Sequence, residues 1–236
     1  MLPQPRFVLF DFWETVFGFL SEEALEEVRR ERIALFASVL GVEKSEVEGA
    51  FVEAVSKLDS WRKATGLEFT VEELVMETLK LLNRDSKHLS SLSNIYIEVV
   101  FQHLPGPLEG AGELLEMLKG RGISTAIVSN TIHGPIERRL LKLHGFEPLF
   151  DALVFSSEVG LRKPRPEIFQ AALDMLGAEP GQTLHVGDSL EADVEGALAA
   201  GLGAMHVNYG NHTEIPHPRA ISVRDLPEAA EVLRGL

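Results

Sequence analysis

Hydrophobic residues follow two different spacings along this chain. Short apolar runs rich in β-branched side chains alternate with segments in which apolar residues recur every three or four positions. The runs predict buried strands, and the second spacing predicts amphipathic helices. The strands are expected at about 6–11, 123–129, 152–155, 183–187 and 203–207. The helices that separate and follow them are expected at about 108–120, 134–144, 165–176, 191–200 and 226–233.

The segment between the first and second strands differs from the rest, because only the helical spacing occurs there. Ser45-x-x-Glu48 and Thr70-x-x-Glu73 have the spacing of capping boxes and are expected to open two helices. The helices of this segment are expected at about 21–40, 45–63, 70–83 and 88–103.

Strands that alternate with helices indicate a parallel sheet with right-handed crossovers. We therefore predict an α/β fold with a doubly wound, Rossmann-like core made of residues 1–16 and 106–236. Residues 17–105 are expected to form a helical-bundle domain inserted after the first strand. The stretch 209–219, which contains two prolines, is expected to be a surface loop.

Polar side chains occur where predicted strands end. Asp11 follows the first strand, Ser129 ends the second, and Asp188 follows the strand at 183–187. The carboxyl ends of parallel strands share one edge of an open sheet, and ligands bind at that edge. We therefore expect these side chains to lie close together.

These residues also suggest a common chemistry. A carboxylate such as Asp11 can attack phosphorus or carbon and form a covalent intermediate. Asp11 and Asp188 would repel each other unless a cation lay between them, and Mg²⁺ prefers oxygen ligands. Lys163, followed by the restricted backbone of Pro164 and Pro166, would neutralise charge on Asp11 and on a transferred phosphoryl group.

The segments around Asp11, Ser129, Lys163 and Asp188, in this order, resemble the haloacid dehalogenase superfamily of hydrolases. The helical insert has the length of that family's cap domain. The resemblance implies that Asp11 is the catalytic nucleophile and that Ser129 and Lys163 are the other catalytic residues. It also implies a hydrolase that acts on a small molecule.

The resemblance implies a set of metal ligands as well. Mg²⁺ would be bound by Asp11, Asp188 and the backbone carbonyl of Trp13. Asp193 is expected either in the outer shell of the metal or as a partner of Lys163.

Other residues are expected to contact the substrate. Thr15 would form a hydrogen bond close to Asp11, and the backbone N–H of Asn130 would bind a phosphoryl oxygen. The indole of Trp13 would form a hydrophobic floor of the pocket. Trp61 and Arg62 would contribute from the inserted domain.

Trp13 departs from the family's pattern, because most of its phosphatases have a second Asp at this position. That Asp protonates the leaving alcohol and then activates water, and indole can do neither. General acid–base catalysis is typically worth about 10²–10⁴-fold, so a substrate with a good leaving group is favoured. Acyl phosphates, aryl phosphates and sugar-1-phosphate-like esters meet this condition. We predict a magnesium-dependent phosphatase that hydrolyses a small phosphorylated metabolite through an aspartyl-phosphate.

Three alternatives remain open. A 2-haloacid dehalogenase needs neither a metal nor a proton on the halide, but it needs a carboxylate-binding arginine. The candidates for that arginine are Arg29, Arg30 and Arg32. A carbon–phosphorus hydrolase would use a lysine of the insert as a Schiff base. A weakly catalytic member would bind a phosphorylated ligand or a partner protein.

The composition limits the classes of molecule that the chain is expected to bind. The 236 residues are 45% hydrophobic and 25% charged, as in ordinary globular proteins, and the net charge of −14 argues against binding to nucleic acid or to anionic membranes. The absence of cysteine excludes disulfides and thiol chemistry. Asp11 interrupts the apolar run near the N-terminus, so we expect no secretory leader. No apolar run in the sequence approaches transmembrane length. We expect a cytoplasmic monomer or homodimer whose partner is a small-molecule substrate.

Overall fold

The computed structural model describes residues 4–19, 21–209 and 214–236. The chain divides into two compact units. The core unit consists of Met1–Gly18 and Pro107–Leu236, and the helical unit consists of Phe19–Gly106. None of the described helices is both long and apolar enough to cross a lipid bilayer.

A parallel sheet forms the centre of the core unit. The described strands, in chain order, are β1 (Phe7–Phe10), β2 (Phe17–Gly18), β3 (Gly106–Pro107), β4 (Ser124–Ser129), β5 (Ala152–Phe155), β6 (Thr183–Gly187), β7 (Gly203–Val207) and β8 (Ala220–Val223). A six-stranded sheet has the order β5-β4-β1-β6-β7-β8, and β2 pairs with β3 in a separate small sheet. All neighbours in the large sheet are parallel. The predicted doubly wound α/β fold is confirmed.

Helices account for most of the remaining described chain. They are α1 (Glu22–Leu40), α2 (Lys44–Thr65), α3 (Val71–Leu81), α4 (Leu89–Gln102), α5 (Ala111–Gly120), α6 (Gly134–Leu143), α7 (Ser156–Val159), α8 (Pro166–Leu176), α9 (Gly196–Ala199) and α10 (Leu226–Gly235). The predicted capping box at Thr70 and Glu73 opens α3, because each side chain accepts the other's backbone N–H. The box predicted at Ser45 is wrong: α2 begins at Lys44 after the N-cap residue Glu43, so Ser45 lies inside the helix.

Two other local predictions are corrected. The helix expected at about 191–200 is a π-helical turn, Leu190–Glu195, followed by the short α9. The sixth strand of the sheet, β8, was not predicted, because three of its four residues are only partly buried and it has no long apolar run. Of the loop predicted at 209–219, residues 210–213 lie outside the described residues.

The strand order reverses at β1. Phe10 pairs with Ile127 of β4 on one side and with Val186 of β6 on the other. The chain builds β4 and β5 on the first side of β1 before it adds β6, β7 and β8 on the second. A crevice forms outside the strand ends at such a reversal, and ligands bind there in open α/β sheets. The residues after β1, β4 and β6 share this edge.

Both faces of the sheet are buried. Leu9, Ala126 and Val128 belong to one hydrophobic cluster with residues of α8 and α9. Val8 and Phe10 alternate with Leu9, point to the opposite face and are also fully buried. This burial on two faces explains why β1 has an uninterrupted apolar sequence.

Candidate active site

Asp11 lies where β1 ends, at the reversal of the strand order. Its backbone N–H donates to the carbonyl of Val186 at 2.9 Å, which extends the pairing with β6 past the last strand residue. Lys163 Nζ donates to Asp11 Oδ1 at 2.6 Å and to Asp193 Oδ1 at 2.6 Å. All three charged side chains are buried. The fold therefore brings these chain-distant residues into direct contact.

Asn130 fixes the backbone of Lys163 at this edge. Asn130 Oδ1 accepts the Lys163 N–H at 2.8 Å, and Asn130 Nδ2 donates to the Lys163 carbonyl at 3.0 Å. Asn130 directly follows β4, so this pair of hydrogen bonds holds Lys163 at the end of the sheet, beside Asp11. The neighbouring prolines alone had been expected to hold the lysine. Phosphoryl binding by the Asn130 backbone N–H stays a prediction.

The π-helical turn presents Asp193 to the lysine. Asp193 Oδ1 also accepts from His185 Nε2 at 2.9 Å, and Oδ2 accepts the backbone N–H of Ser189 at 2.9 Å. An ideal Cβ on Gly187 would lie 2.2 Å from Asp193 Cγ. Gly187 is therefore needed to leave room for the carboxylate that orients Lys163.

Two histidines on the neighbouring strands β6 and β7 support this acidic loop. His185 on β6 contacts Asp193, and His206 on β7 donates from Nε2 to the backbone carbonyl of Asp188 at 2.8 Å. Sequence reasoning missed both histidines. The available signal was a polar residue inside an apolar run, such as Leu184-His185-Val186, but its partner could not be read from the spacing.

Three carboxylates form an acidic cluster beside one lysine. Oxygens of Asp11, Asp188 and Asp193 lie within 4.8 Å of one another. Burial raises the pKa of Asp11 to about 7 and the pKa of Asp188 to about 6, and the charge of Asp193 adds to both shifts. Burial also disfavours the charge on Lys163, but Asp11 and Asp193 outweigh it and raise the pKa of the ammonium. Against the same penalty, Lys163 and His185 hold the pKa of Asp193 well below its ordinary range.

This donor set fits a hard divalent cation. One ammonium does not balance three converging carboxylates, and the charge of Asp193 adds to the effect of burial on the pKa values of Asp11 and Asp188. A cation with a preference for oxygen would neutralise it, and both Mg²⁺ and Ca²⁺ have that preference. The structure therefore supports the prediction that these carboxylates could bind a metal ion.

Two hydroxyl groups of the site have unused hydrogen-bonding capacity. Ser129 and Thr15 are fully buried. Among the described residues, neither Ser129 Oγ nor Thr15 Oγ1 has a hydrogen-bond partner. The hydrogen bond predicted for the Thr15 side chain close to Asp11 is therefore not formed within the described chain. Leaving a buried hydroxyl without a partner costs about 1–3 kcal/mol. Such a cost is expected where a ligand supplies the missing oxygen or nitrogen atom.

The loop after Asp11 is held by contacts that the sequence did not predict. Trp13 Nε1 donates to Glu137 Oε1 at 2.7 Å, and the hydroxyl of Tyr209 donates to the carbonyl of Thr15 at 3.1 Å. Glu137 belongs to α6, and Tyr209 follows β7. Both partners lie more than a hundred residues from the loop, so no local pattern could have shown them.

The residues predicted from the inserted domain lie in the helical unit. Trp61 is 39% exposed. Arg62 Nη2 lies 2.7 Å from Asp59 Oδ1, and its Nη1 lies 3.6 Å from Glu68 Oε1. The charge of Arg62 therefore has partners inside its own unit. Substrate contacts by Trp61 and Arg62 stay predictions.

Comparisons with known proteins show similarity to enzymes of one class. The chain is 35% identical over 102 residues to the glyceraldehyde 3-phosphate phosphatase of Methanothermobacter thermautotrophicus, covering 43% of this chain and 45% of that protein. It is 36% identical over 111 residues to the pyrimidine 5′-nucleotidase YjjG of Escherichia coli, covering 47% of this chain and 48% of that protein. The chain thus spans about half the length of these curated relatives.

A solved structure extends the similarity along the whole chain. The HAD phosphatase from Thermococcus onnurineus has 26% identity and a TM-score of 0.72, and the comparison covers 100% of this chain and 99% of that one. A family model described as haloacid dehalogenase-like hydrolase matches residues 5–201. This match includes β1 to α9 and all the residues of the acidic cluster. The chain therefore belongs to the haloacid dehalogenase-like hydrolases.

Proposed function

We propose that this hydrolase is a magnesium-dependent phosphatase for a small phosphorylated metabolite with a good leaving group. The observation that carries the proposal is the contact of Lys163 with both Asp11 and Asp193, at 2.6 Å each, inside a cluster that includes Asp188. Buried groups with shifted pKa values in a crevice are typical of catalytic sites.

Asp11 is proposed as the nucleophile. One of its oxygens forms a bond to phosphorus while the bond from phosphorus to the leaving oxygen breaks, which gives an aspartyl-phosphate. The oxygen of a water molecule then forms a bond to this phosphorus while the bond from phosphorus to the Asp11 oxygen breaks. Inorganic phosphate leaves, the protons of the water go to phosphate and to solvent, and the carboxylate of Asp11 is restored. Lys163 stabilises the charge that develops on the phosphoryl oxygens. The unpartnered hydroxyl of Ser129 would donate to one of these oxygens.

Mg²⁺ would be held by Asp11, Asp188 and the backbone carbonyl of Trp13, with Asp193 outside this set. When bound, the ion would neutralise the carboxylates and the negative charge of the phosphate group. Asp193 already accepts hydrogen bonds from Lys163, His185 and Ser189. It is therefore better suited to orienting the lysine than to binding metal directly.

Trp13 restricts the range of substrates. Its indole has one donor and no proton that titrates near neutral pH, and that donor is bound to Glu137. A leaving group that departs without protonation, such as a carboxylate or a phenolate, suits this site. The two curated relatives act on small phosphorylated molecules by their names, and the same class of substrate is proposed for this chain.

A halide is also a leaving group that needs no proton, so Trp13 keeps 2-haloacid dehalogenation as a second candidate. The acidic cluster argues against it, because that reaction has no use for a divalent cation. The two functions differ in their response to a chelator.

One assay panel tests the proposal. Acetyl phosphate, p-nitrophenyl phosphate, glycerol phosphate and 2-chloropropionate are each incubated with Mg²⁺ and with excess chelator. We expect Mg²⁺-dependent release of phosphate, fastest from acetyl phosphate, and a loss of at least about 10³-fold in Asp11→Asn. Chloride release that survives the chelator would replace the proposal by the dehalogenase. Phosphate binding without any turnover would replace it by a ligand-binding role.

A further inference from the structure

The indole N–H of Trp13 is bound to a buried carboxylate. Trp13 Nε1 donates to Glu137 Oε1 at 2.7 Å. The indole also makes an edge contact with Phe12, at 5.0 Å between ring centroids, and Phe12 stacks on Phe17 at 4.8 Å. The ring of Phe17 also contacts His144 and Phe146, just after α6, and the bond from Trp13 to Glu137 connects the loop to α6 itself.

The loop between Asp11 and Phe17 is a tight turn. The backbone N–H groups of Val16 and Phe17 both donate to the carbonyl of Phe12, at 3.0 Å and 2.9 Å. Glu14 has a left-handed backbone with a φ of 54°. The segment is therefore not an extension of β1, and adjacent side chains do not simply alternate in direction. This geometry directs the side chain at position 13 toward α6.

Glu137 lies in the first turn of α6, just after the segment that joins this helix to β4. Its side chain is completely buried. Burial raises the pKa of Glu137 to about 7, although the hydrogen bond from Trp13 opposes the shift. Among the described residues, no polar group reaches Glu137 Oε2. A buried carboxyl group of this kind is costly, and packing alone would favour an apolar residue.

We propose that Glu137 is a positioning residue, which holds Trp13 and thereby fixes the loop that carries Asp11. The loop contains the proposed nucleophile and the carbonyl of Trp13 proposed for the metal. A shift of the loop by a fraction of an ångström would therefore displace both groups. The hydrogen bond anchors the turn to α6, as the bond from Tyr209 to the Thr15 carbonyl anchors it to the segment after β7. The kinetic part of this inference rests on the proposed function.

Variants at both ends of the bond test the proposal. Glu137→Leu removes the acceptor, Trp13→Phe removes the donor but keeps an aromatic ring, and Glu137→Gln keeps an oxygen that accepts. Glu113→Leu is the matched control, because Glu113 also lies in the first turn of a helix of the core unit and is exposed. All are assayed with acetyl phosphate and Mg²⁺, with melting temperatures measured in parallel.

We expect Glu137→Leu and Trp13→Phe to lower kcat by about tenfold each, with KM changed by less than about threefold, because a misplaced nucleophile slows chemistry more than binding. The double variant should be no slower than either single variant, since both remove the same bond. Glu137→Gln should stay within about threefold of the natural protein, and Glu113→Leu should be unchanged. Unchanged kcat in Trp13→Phe, or losses that multiply in the double variant, would overturn the proposal.

A spectroscopic measurement separates this proposal from the proposed function. The chain has two tryptophans, so Trp61→Phe leaves Trp13 as the source of the indole N–H signal in a ¹H–¹⁵N spectrum. We expect this proton to exchange slowly with water and to exchange at least about tenfold faster after Glu137→Leu. Asp11→Asn should abolish turnover yet keep slow exchange. If the indole proton exchanges fast in the natural Glu137 background, the bond is absent in solution and the proposal fails, whatever the enzyme hydrolyses.

Discussion

Glu77 in the helical unit and two carboxyl groups in the core unit, Asp11 and Glu137, are buried, but their pKa values shift in opposite directions. In the helical unit, the buried Glu77 is within ion-pair distance of Lys57 and Lys80, and the hydrogen bond from Lys57 lowers its pKa. In the core unit, burial raises the pKa of Asp11 and of Glu137 to about 7. Glu77 is thus stabilised in its charged form by its partners, whereas the charged forms of Asp11 and Glu137 are held at a cost.

This difference supports the proposed location of the chemistry at Asp11. A structural ion pair is selected for a favourable free energy, so the pKa of its acid falls. A catalytic carboxylate must be partly desolvated to react, so its pKa rises unless a cation is supplied. Asp11 and Asp188 have such raised pKa values.

The largest expected effect follows from removing the acidic residue after β6. Asp188→Ala should lower Mg²⁺-dependent release of phosphate from acetyl phosphate on the order of 10³-fold, because a carboxylate proposed to bind the ion is lost. Titration calorimetry with Mg²⁺ would check that binding is lost as well. Full activity of the variant in the presence of a chelator would show that the cluster has no catalytic metal.

Replacing one lysine in each unit compares how much each contributes to the free energy of unfolding. Lys163→Met leaves Asp11 and Asp193 without their cation and should lower the free energy of unfolding by about 3–5 kcal/mol in metal-free buffer. The control is Lys57→Met, whose side chain is 66% exposed, and its loss should stay below about 1 kcal/mol. Denaturant unfolding of both variants provides the measurement. Equal losses would mean that the lysines serve the same structural purpose.

Restoring a carboxylate at position 13 should change the preference for leaving groups. Trp13→Asp is combined with Glu137→Gln, because Glu137 would otherwise be left buried without its indole donor. Hydrolysis of glycerol phosphate relative to acetyl phosphate should rise about tenfold, since only the alkoxide needs a proton. A ratio that does not change would contradict the proposed effect of Trp13 on substrate choice. Glu137→Gln alone is the control and should leave the ratio unaltered.

The smallest expected effect concerns the ion pairs of the helical unit. The pKa of Glu77 is lowered below its ordinary value of 4.5, so its contribution to stability is present above that value and is lost as the pH falls through the lowered pKa. Glu77→Gln should therefore cost roughly 0.5–1 kcal/mol at pH 7, and the difference from the natural protein should shrink below pH 4. Melting temperatures measured from pH 3 to pH 8 would check this. A difference that persists at the lowest pH would point to packing rather than charge.

The local sequence could predict which residues of the site lie at the ends of strands. β1, β4 and β6 were expected because each is a short apolar run, and parallel strands bring Asp11, Ser129 and Asp188 to one edge. Lys163 was expected beside them by resemblance, and the structure shows the contact with Asp11 at 2.6 Å. The π-helical turn was predicted as an ordinary α-helix, because the spacing of its apolar residues does not distinguish the two. The difference lies in the close approach of Asp193 to Gly187, which a linear pattern does not record.

The sequence by itself determined the alternation of strands and helices, the helical insert and the chemical type of the groups at the strand ends. These features depend on spacing within one element, which a linear pattern records. Only the tertiary structure decided that Asn130 holds Lys163, that His185 supports Asp193 and that Glu137 holds Trp13. Each of these contacts joins elements that meet only when the sheet is assembled, so their energies depend on burial and distance in the folded chain.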